Sequence, residues 1–237
     1  MAAGRSMTDA ADIYVQALAL GLDPAWRRRS DEERHDDGCR FRDAAAAADI
    51  DGARTITYSS VGLEPSVDVL LWRMAPSIDT LEEGAAGLLR SGIGRWLTVT
   101  HSFIGRIAPS QYVRRPIGQE QSLFDGERSR YLVVYPFTKS TEWYLSPADE
   151  RQAVMRGHMK IGHAYPQVRQ LLAYSFGLDD QDFIVAYETD ELVAFQDLVR
   201  ELRESESRRA TIRDTPIITG IHRPLGDILG LLSGADR

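Results

Sequence analysis

Residues 131–165 read YLVVYPFTKSTEWYLSPADERQAVMRGHMKIGHAY and change character partway along. The first seven residues are rich in the β-branched and aromatic types that strands favour. Residues 146–167 predict a helix, because Ser146 is a suitable cap, Pro147 suits the first helical position and acidic residues fill the first turn. The stretch therefore predicts a strand followed closely by a helix.

The segments on both sides of this stretch repeat the alternation of strand and helix. Their order predicts an α+β fold with two similar tandem units, each an antiparallel sheet with helices on one face. Two such sheets can join edge to edge into a barrel, which hides their edges. The predicted strands are 54–63, 67–75, 96–107, 131–137, 168–177, 182–190 and 215–223, and the predicted helices are 25–48, 77–96, 146–167 and 191–210.

The chain divides into three predicted regions. Residues 1–50 are predicted to be an N-terminal helical extension, residues 51–130 the first α+β half with a connecting loop, and residues 131–237 the second half. The loop, residues 108–130, is rich in proline, glycine and charge and shows no clear period. A loop of this length in a compact domain is often functional.

Composition limits the classes of protein to which the chain can belong. It has 237 residues, of which 43% are hydrophobic and 27% charged, as in ordinary globular proteins. The net charge of −7 argues against a duplex-binding protein, whose footprint would be basic. Cys39 is the only cysteine, which excludes an internal disulfide and a multi-cysteine metal site. Because neither a signal peptide nor an apolar span is recognisable, we expect a cytoplasmic protein.

Two histidines lie five residues apart in the predicted helix 146–167. His158 shares an apolar stripe with Val154, Ile161 and Tyr165, whereas His163 lies on another side of the helix. His158 should therefore point inward and His163 outward. An inward histidine is either a core residue satisfied by a carbonyl group or a ligand. No second ligand lies at zinc spacing on this face, whereas a single imidazole suits a haem iron.

The quoted stretch, followed by VRQLLAYSFGLDDQDFIVAYETDELVAF, resembles the chlorite dismutase superfamily, which includes the coproheme decarboxylases. The resemblance is closest over residues 131–200, and looser from DPAWRRR to TVTHSFIG and in TPIITG. It implies two tandem ferredoxin-like halves that form a dimeric-type α+β barrel, assembled as a homopentamer, with haem in the C-terminal half. It also implies that His158 is the proximal ligand of the haem iron.

Two features of the resemblance favour a decarboxylase. Gln170 stands where chlorite dismutases carry a distal arginine, and Arg169 should face the opposite side of its strand. Tyr135 and Lys139, in YPFTK, match a tyrosine and a lysine of the decarboxylases. The resemblance implies that the Tyr135 phenol relays a radical to the propionate β-carbon, while Lys139 pins a carboxylate or handles a proton. Trp143 matches a family tryptophan near the porphyrin.

Residue types alone leave other interpretations of these positions open. Tyr135 could be a strand-end aromatic, Lys139 a solvated turn residue and Trp143 a core aromatic. The chain also departs from the decarboxylase pattern. Gln121 replaces an arginine that grips a propionate, and Arg208 replaces a serine that contacts one. The loop lacks the distal histidine of actinobacterial relatives, but it contains arginines that could substitute for the missing one: Arg114, Arg115, Arg128 and Arg130.

The leading prediction is an oxidative decarboxylation of iron coproporphyrin (coproheme) to haem b with hydrogen peroxide. His158 would ligate the iron, Tyr135, Lys139 and Gln170 would act in the reaction, and Trp143 and Arg208 would contact the cofactor. The alternatives are a chlorite dismutase or a related haem enzyme with another substrate, a haem carrier or sensor without turnover, and a barrel that has lost haem.

Overall fold

The computed structural model describes residues 13–49, 52–107 and 127–234. None of the helices in these ranges is long and apolar enough to cross a membrane. The strands are β1 (Ile13–Leu22), β2 (Arg54–Glu64), β3 (Val67–Ala75), β4 (Leu97–Ile107), β5 (Tyr131–Lys139), β6 (Arg169–Tyr174), β7 (Phe183–Thr189), β8 (Thr211–Arg213) and β9 (Ile218–His222). The helices are α1 (Asp31–Ala48), α2 (Ile78–Arg90), α3 (Thr141–Leu145), α4 (Ala148–His163), α5 (Leu192–Glu204) and α6 (Leu225–Ser233), with 3₁₀ turns at Pro24–Arg28, Gly92–Trp96 and Glu206–Ala210.

Each half of the chain forms a βαββαβ unit. The first half runs β1-α1-β2-β3-α2-β4 and the second β5-α4-β6-β7-α5-β9. Within the sheet, the first half has the order β4-β1-β3-β2 and the second half the matching order β9-β5-β7-β6. This is the ferredoxin-like arrangement. The predicted α+β fold with two tandem ferredoxin-like halves is therefore confirmed.

The two sheets close into one antiparallel barrel. β2 pairs with β9, where Tyr58 lies opposite His222, and β4 pairs with β6, where Arg106 lies opposite Tyr174. β8 adds a short third partner to β5. Because each of the eight long strands has a neighbour on both sides, closure leaves none of them as an open edge.

Along each barrel strand, successive side chains point alternately into the interior and toward the outer face of the sheet. The interior core receives residues from all eight barrel strands: Val15, Ala17, Ala19, Ile56, Tyr58, Val67, Leu70, Trp72, Met74, Phe103, Leu132, Val134, Leu171, Ala173, Ile184, Ala186 and Ile218. Helices α1, α2 and α6 cover the outer face of the first sheet. Helices α4 and α5 cover the outer face of the second sheet, where the candidate site lies.

The prediction of a wholly helical extension over residues 1–50 is wrong for residues 13–22. These form β1, which lies between β3 and β4 in the barrel. Val15 and Ala17 point into the interior, while Leu18 and Leu20 point outward against the helices. Because both faces are buried, the strand shows none of the alternation of apolar and polar residues by which strands are recognised. Residues 1–12 lie outside the described residues.

The predicted helix caps are right for α2 and wrong for α4. The Ser77 side chain accepts from the amide of Thr80 and caps α2 as expected. Ser146 instead ends the short helix α3, and its hydroxyl donates to the Trp143 carbonyl at 2.7 Å. Helix α4 begins at Ala148 after Pro147, without a side-chain cap. Ser146 therefore belongs to the end of α3, and the sequence pattern assigned it to the wrong helix.

A buried ionic cluster inside the barrel joins the two halves. Glu188 on β7 is fully buried and accepts from the Tyr58 hydroxyl of β2 at 2.6 Å. Its other oxygen accepts from Arg169 at 2.9 Å, and Arg128 lies 3.6 Å away. The pKa of Glu188 is raised on balance, because the effect of burial exceeds the opposing effects of Tyr58 and the two arginines. Since carboxylate and guanidinium groups satisfy one another there, removing one partner should be costly.

Glu188→Ala is expected to lower the free energy of unfolding by about 3–5 kcal/mol, because it leaves two arginines without their carboxylate inside the barrel. Urea unfolding followed by circular dichroism measures this change. Glu82→Ala, at an exposed position on α2, serves as the control and should change stability by less than about 0.5 kcal/mol. Equal effects of the two variants would show that the cluster contributes nothing particular to the joining of the halves.

Candidate active site

The outer face of the second sheet carries the predicted site residues of β5 and β6. Tyr135 on β5 lies opposite Val185 on β7, and Tyr187 on β7 lies opposite Gln170 on β6. Side chains two residues apart share a face, so Tyr135, Tyr187 and Gln170 all project toward α4 and α5. The site is therefore built on three neighbouring strands beneath two helices.

Gln170 and Arg169 face opposite sides of β6, as strand alternation predicts. The Nε2 atom of Gln170 lies 3.9 Å from the position that a Cβ atom on Gly162 of α4 would occupy. Arg169 points into the barrel, where it donates to Ser129 and Glu188. An uncharged amide, and not the neighbouring guanidinium, therefore faces the helix that carries His158.

His158 lies on the inward side of α4 and is half-buried, whereas His163 is exposed. Ile161 and Tyr165, from the predicted apolar stripe, pack against the core of the second half. Nδ1 of His158 lies 3.1 Å from Ser207 Oγ. Burial lowers the pKa of His158 to about 4, and the charge of Lys139 acts in the same direction. The imidazole is therefore neutral near pH 7, which is the form that ligates metals.

Protonation of His158 is expected to destabilise the protein in acid. The pKa of His158 is about 4 in the folded chain and 6.5 ordinarily, so the unfolded chain binds this proton more tightly. The resulting loss is negligible well above pH 6.5 and grows to about 3 kcal/mol as the pH falls to 4. Urea unfolding at pH 7.5 and 4.5 should show a smaller acid loss in His158→Gln than in wild type, while His163→Gln resembles wild type. Identical acid losses in all three proteins would contradict this assignment.

Lys139 is buried, with 9% of its surface exposed. Its ammonium donates to the Ser207 carbonyl at 3.0 Å and lies over the rings of Trp143, at 4.8 Å, and Phe137, at 5.1 Å. Burial lowers the pKa of Lys139 to about 8, and the charge of Arg208 adds to this effect. Lys139 is therefore no solvated turn residue. The Lys139 ammonium contacts the carbonyl of Ser207, and His158 contacts the hydroxyl of the same residue. The Trp143 ring forms one wall around the ammonium.

Tyr135 lies against Tyr187, with the two ring centroids 6.1 Å apart. Burial raises the pKa of Tyr135 well above its ordinary value, and the interaction with Tyr187 adds to the effect. The charge of Asp214 raises this pKa further, whereas that of Arg203 lowers it. Tyr135 is thus a protonated phenol next to a second phenol, near an ionic group at the edge of the site.

That ionic group consists of Arg203, Arg208 and Asp214. The Asp214 carboxylate lies 2.6 Å from Arg208 and 3.5 Å from Arg203. Two guanidinium groups against one carboxylate leave one net positive charge beside Tyr135 and Lys139. An anionic group, such as a carboxylate of a bound molecule, would be stabilised there.

The structure narrows the choice among the arginines of the connecting loop. Arg128 points into the barrel toward Glu188 and so cannot substitute for the propionate arginine. Arg130 lies over the ring of Tyr131, 5.2 Å from its centroid. The other candidates, Arg114 and Arg115, lie outside the described residues, as do Gln121 and residues 108–126 of the loop.

Sequence reasoning missed two residues of this face, Tyr187 and Ser207. Tyr187 could have been found from the sequence. It lies in the predicted strand 182–190, and at two-residue spacing it shares a face with Val185 and Phe183. Ser207 carried no comparable signal. It lies in a 3₁₀ turn after α5 and reaches His158 only because the two helices pack together.

The fold and this face define the class of the protein as an α+β barrel of two ferredoxin-like halves, with its candidate site on the second half. The chlorite dismutase family profile matches residues 35–223. The coproheme decarboxylase of Mycolicibacterium smegmatis is 32% identical over 164 residues, which cover 69% of this chain and 70% of the relative.

Solved structures give the same result. A mutant chlorite dismutase from Candidatus Nitrospira defluvii is 25% identical, with a TM-score of 0.85 over 93% of this chain and 95% of that one. The chlorite dismutase from the same organism in complex with imidazole is also 25% identical, with a TM-score of 0.84 over 96% and 97% of the two chains. The chain belongs to the chlorite dismutase family.

Proposed function

We propose that the protein is a haem-dependent oxidoreductase that converts iron coproporphyrin to haem b by removing two propionate carboxyl groups with hydrogen peroxide. The observation that carries this proposal is the placement of Gln170 on the α4 side while Arg169 points into the barrel. An amide can hydrogen-bond to peroxide or water, but it brings no charge to hold an anionic oxidant such as chlorite. The similarity to a coproheme decarboxylase supports the same function.

The residues of the site fit a haem. Nδ1 of His158 is engaged by Ser207, while Nε2 makes no hydrogen bond to any described residue. A neutral imidazole with one open nitrogen is the proximal ligand that a haem iron requires. The net positive charge of Arg203, Arg208 and Asp214 suits the propionates of the porphyrin. When bound, the haem iron supplies the oxidising chemistry, and the protein supplies position and charge.

The proposed reaction balances with one peroxide for each propionate. Propionate, hydrogen peroxide and one proton give a vinyl group, carbon dioxide and two molecules of water. The bond to the carboxyl carbon and one C–H bond at the β-carbon break, and a carbon–carbon double bond forms. The two electrons released reduce the peroxide. The protein must therefore take one hydrogen from the β-carbon and hold the carboxylate while it leaves.

Tyr135 is the residue that we assign to the removal of hydrogen. Because its pKa is raised well above the ordinary value, the phenol keeps its proton at neutral pH. Loss of an electron together with that proton gives a neutral tyrosyl radical, which can regain a hydrogen atom from the β-carbon. Tyr187, stacked beside it, would fix the orientation of the phenol.

Lys139 and Arg208 are the residues that we assign to the carboxylates and protons. A lysine whose pKa is about 8 can give up and regain a proton near neutral pH. Arg208, which remains charged, holds a carboxylate without exchanging protons. Trp143, against the Lys139 ammonium, would form part of the wall next to the porphyrin.

The proposal is tested by anaerobic titration of the purified full chain with iron coproporphyrin, followed by stepwise addition of peroxide and chromatography of the porphyrins. We expect loss of one and then the second carboxyl group. Tight binding without conversion would contradict the proposed reaction and favour a haem carrier or sensor. The same haem-loaded protein is then given chlorite, and oxygen release with an unchanged porphyrin would favour a chlorite dismutase.

Assembly and location belong to the same proposal. We infer from the family resemblance that the protein forms a homopentamer in the cytoplasm. Sedimentation velocity of the full chain, with and without iron coproporphyrin, gives the number of subunits directly. A monomer under both conditions would contradict the inferred assembly.

A further inference from the structure

A chain of hydroxyl groups runs from His158 to the end of α5. Nδ1 of His158 lies 3.1 Å from Ser207 Oγ, which lies 2.8 Å from Ser205 Oγ. Ser205 Oγ in turn donates to the backbone carbonyl of Leu202 at 2.6 Å. Each contact is within hydrogen-bond distance, so the histidine is linked to a helix terminus through two serines.

The direction of every hydrogen bond in this chain follows from its fixed end. The Leu202 carbonyl can only accept, so the single hydroxyl proton of Ser205 is used there. Ser205 must therefore accept from Ser207, which uses the single proton of Ser207. Ser207 can then only accept from His158, and Nδ1 must carry a proton. In a neutral imidazole this leaves Nε2 with its lone pair.

The backbone of Ser207 is also held in place. Its carbonyl accepts from the Lys139 ammonium at 3.0 Å and from the Thr211 hydroxyl at 3.4 Å. Ser207 is 5% exposed, so water has little access to replace these partners. The acceptor for Nδ1 is therefore positioned by the fold and does not depend on solvent.

We propose that Ser205 and Ser207 are positioning residues that fix His158 as the Nδ1–H tautomer and present Nε2 to the iron. The role of Nε2 rests on the proposed function, whereas the tautomer does not. Because a hydroxyl is an uncharged acceptor, the ligand stays a neutral imidazole of moderate donor strength. A carboxylate at the same place would draw the Nδ1 proton more strongly and make the ligand a stronger donor.

The first test reads the tautomer without haem. Nitrogen-15 NMR of the imidazole in the apo full chain should show a protonated Nδ1 and an unprotonated Nε2 in wild type. In Ser205→Ala, the Ser207 hydroxyl is free to turn and donate to Nδ1, so a fraction of the Nε2–H tautomer should appear. Ser91→Ala is the matched control, since Ser91 also donates to a carbonyl at a helix end, at 2.9 Å, but far along the chain from this site.

The second test reads the iron–imidazole bond in the ferrous haem complex by resonance Raman spectroscopy, together with the reduction potential. Ser207→Ala should lower the iron–histidine stretching frequency and weaken haem binding about 10- to 100-fold. Ser205→Ala should weaken haem binding about two- to tenfold. Ser207→Asp should raise the iron–histidine stretching frequency and lower the reduction potential. Both changes are opposite to those expected for Ser207→Ala. A merely structural role would not move the two variants in opposite directions.

Three results would decide the matter. An Nε2–H tautomer in wild type, or a Ser205→Ala spectrum identical to that of Ser91→Ala, would overturn the proposal. An Nδ1–H tautomer in a protein that binds no haem would support the hydroxyl chain and overturn the proposed function. If Ser207→Ala does not fold, Ser205→Ala still carries the test, because Ser205 reaches His158 only through Ser207.

Discussion

His158→Ala is expected to abolish the iron–imidazole spectrum of the protein loaded with iron coproporphyrin. His158 is half-buried on the face of α4 that covers the second sheet, and its Nε2 makes no hydrogen bond to any described residue. Loss of a partner behind a ligating histidine already costs about 10- to 100-fold in metal affinity. Removal of the ligand itself should therefore weaken binding by more than about a hundredfold. Absorption titration of wild type and variant measures the change.

His163→Ala is the matched control, because it removes an exposed histidine from the same helix. It should bind iron coproporphyrin as wild type does. Free imidazole should restore the spectrum of His158→Ala, since the substitution leaves a space of the right size on α4. If His158→Ala keeps the wild-type spectrum, the ligand lies elsewhere, and His158 is a core histidine held by Ser207.

Most of the fold could be predicted from the sequence because its determinants are local: strands such as β7 are rich in β-branched and aromatic residues, and α2 shows a cap. Ser77 is an example, since it caps α2 through a contact three residues away. β1 was missed because its sequence, rich in alanine and leucine, lacks this signal, and its pairing follows from neighbours that are distant in the chain. Leu18 lies opposite Leu71 and Ser102, and neither pairing can be read from residues 13–22 alone.

In the candidate site, too, features set by nearby residues could be predicted from the sequence, and features set by distant residues could not. The facing of His158 and of Gln170 follows from helical and strand periods, and the structure places both as predicted. The partners of these residues could not be predicted. Ser207 is 49 residues from His158, and the barrel cluster joins Tyr58 to Glu188 across 130 residues. Burial of Lys139 likewise depends on the turn that contains Ser207, 68 residues away.

Tyr135→Phe is expected to stop decarboxylation while leaving iron coproporphyrin bound. The substitution keeps the ring that packs against Tyr187 and removes only the hydroxyl, so the shape of the face is preserved. Without the O–H group, the residue can no longer give up an electron with its proton or take hydrogen from the propionate β-carbon. We expect the rate of the first decarboxylation to fall by at least about a hundredfold, as is typical when a positioned proton-transfer group is lost. Stopped-flow mixing with peroxide and chromatography of the products measure this rate.

The comparison variants separate radical chemistry from packing. Tyr14→Phe, which removes a hydroxyl from the first half, should react as wild type, because Tyr14 packs near α2 and not in the second half. Tyr187→Phe should be slower than wild type but faster than Tyr135→Phe, since it disturbs only the orientation of Tyr135. Full activity of Tyr135→Phe would remove the phenol from the reaction. Equal losses in Tyr135→Phe and Tyr187→Phe would instead mean that the pair acts as a unit, with the radical shared between two stacked rings.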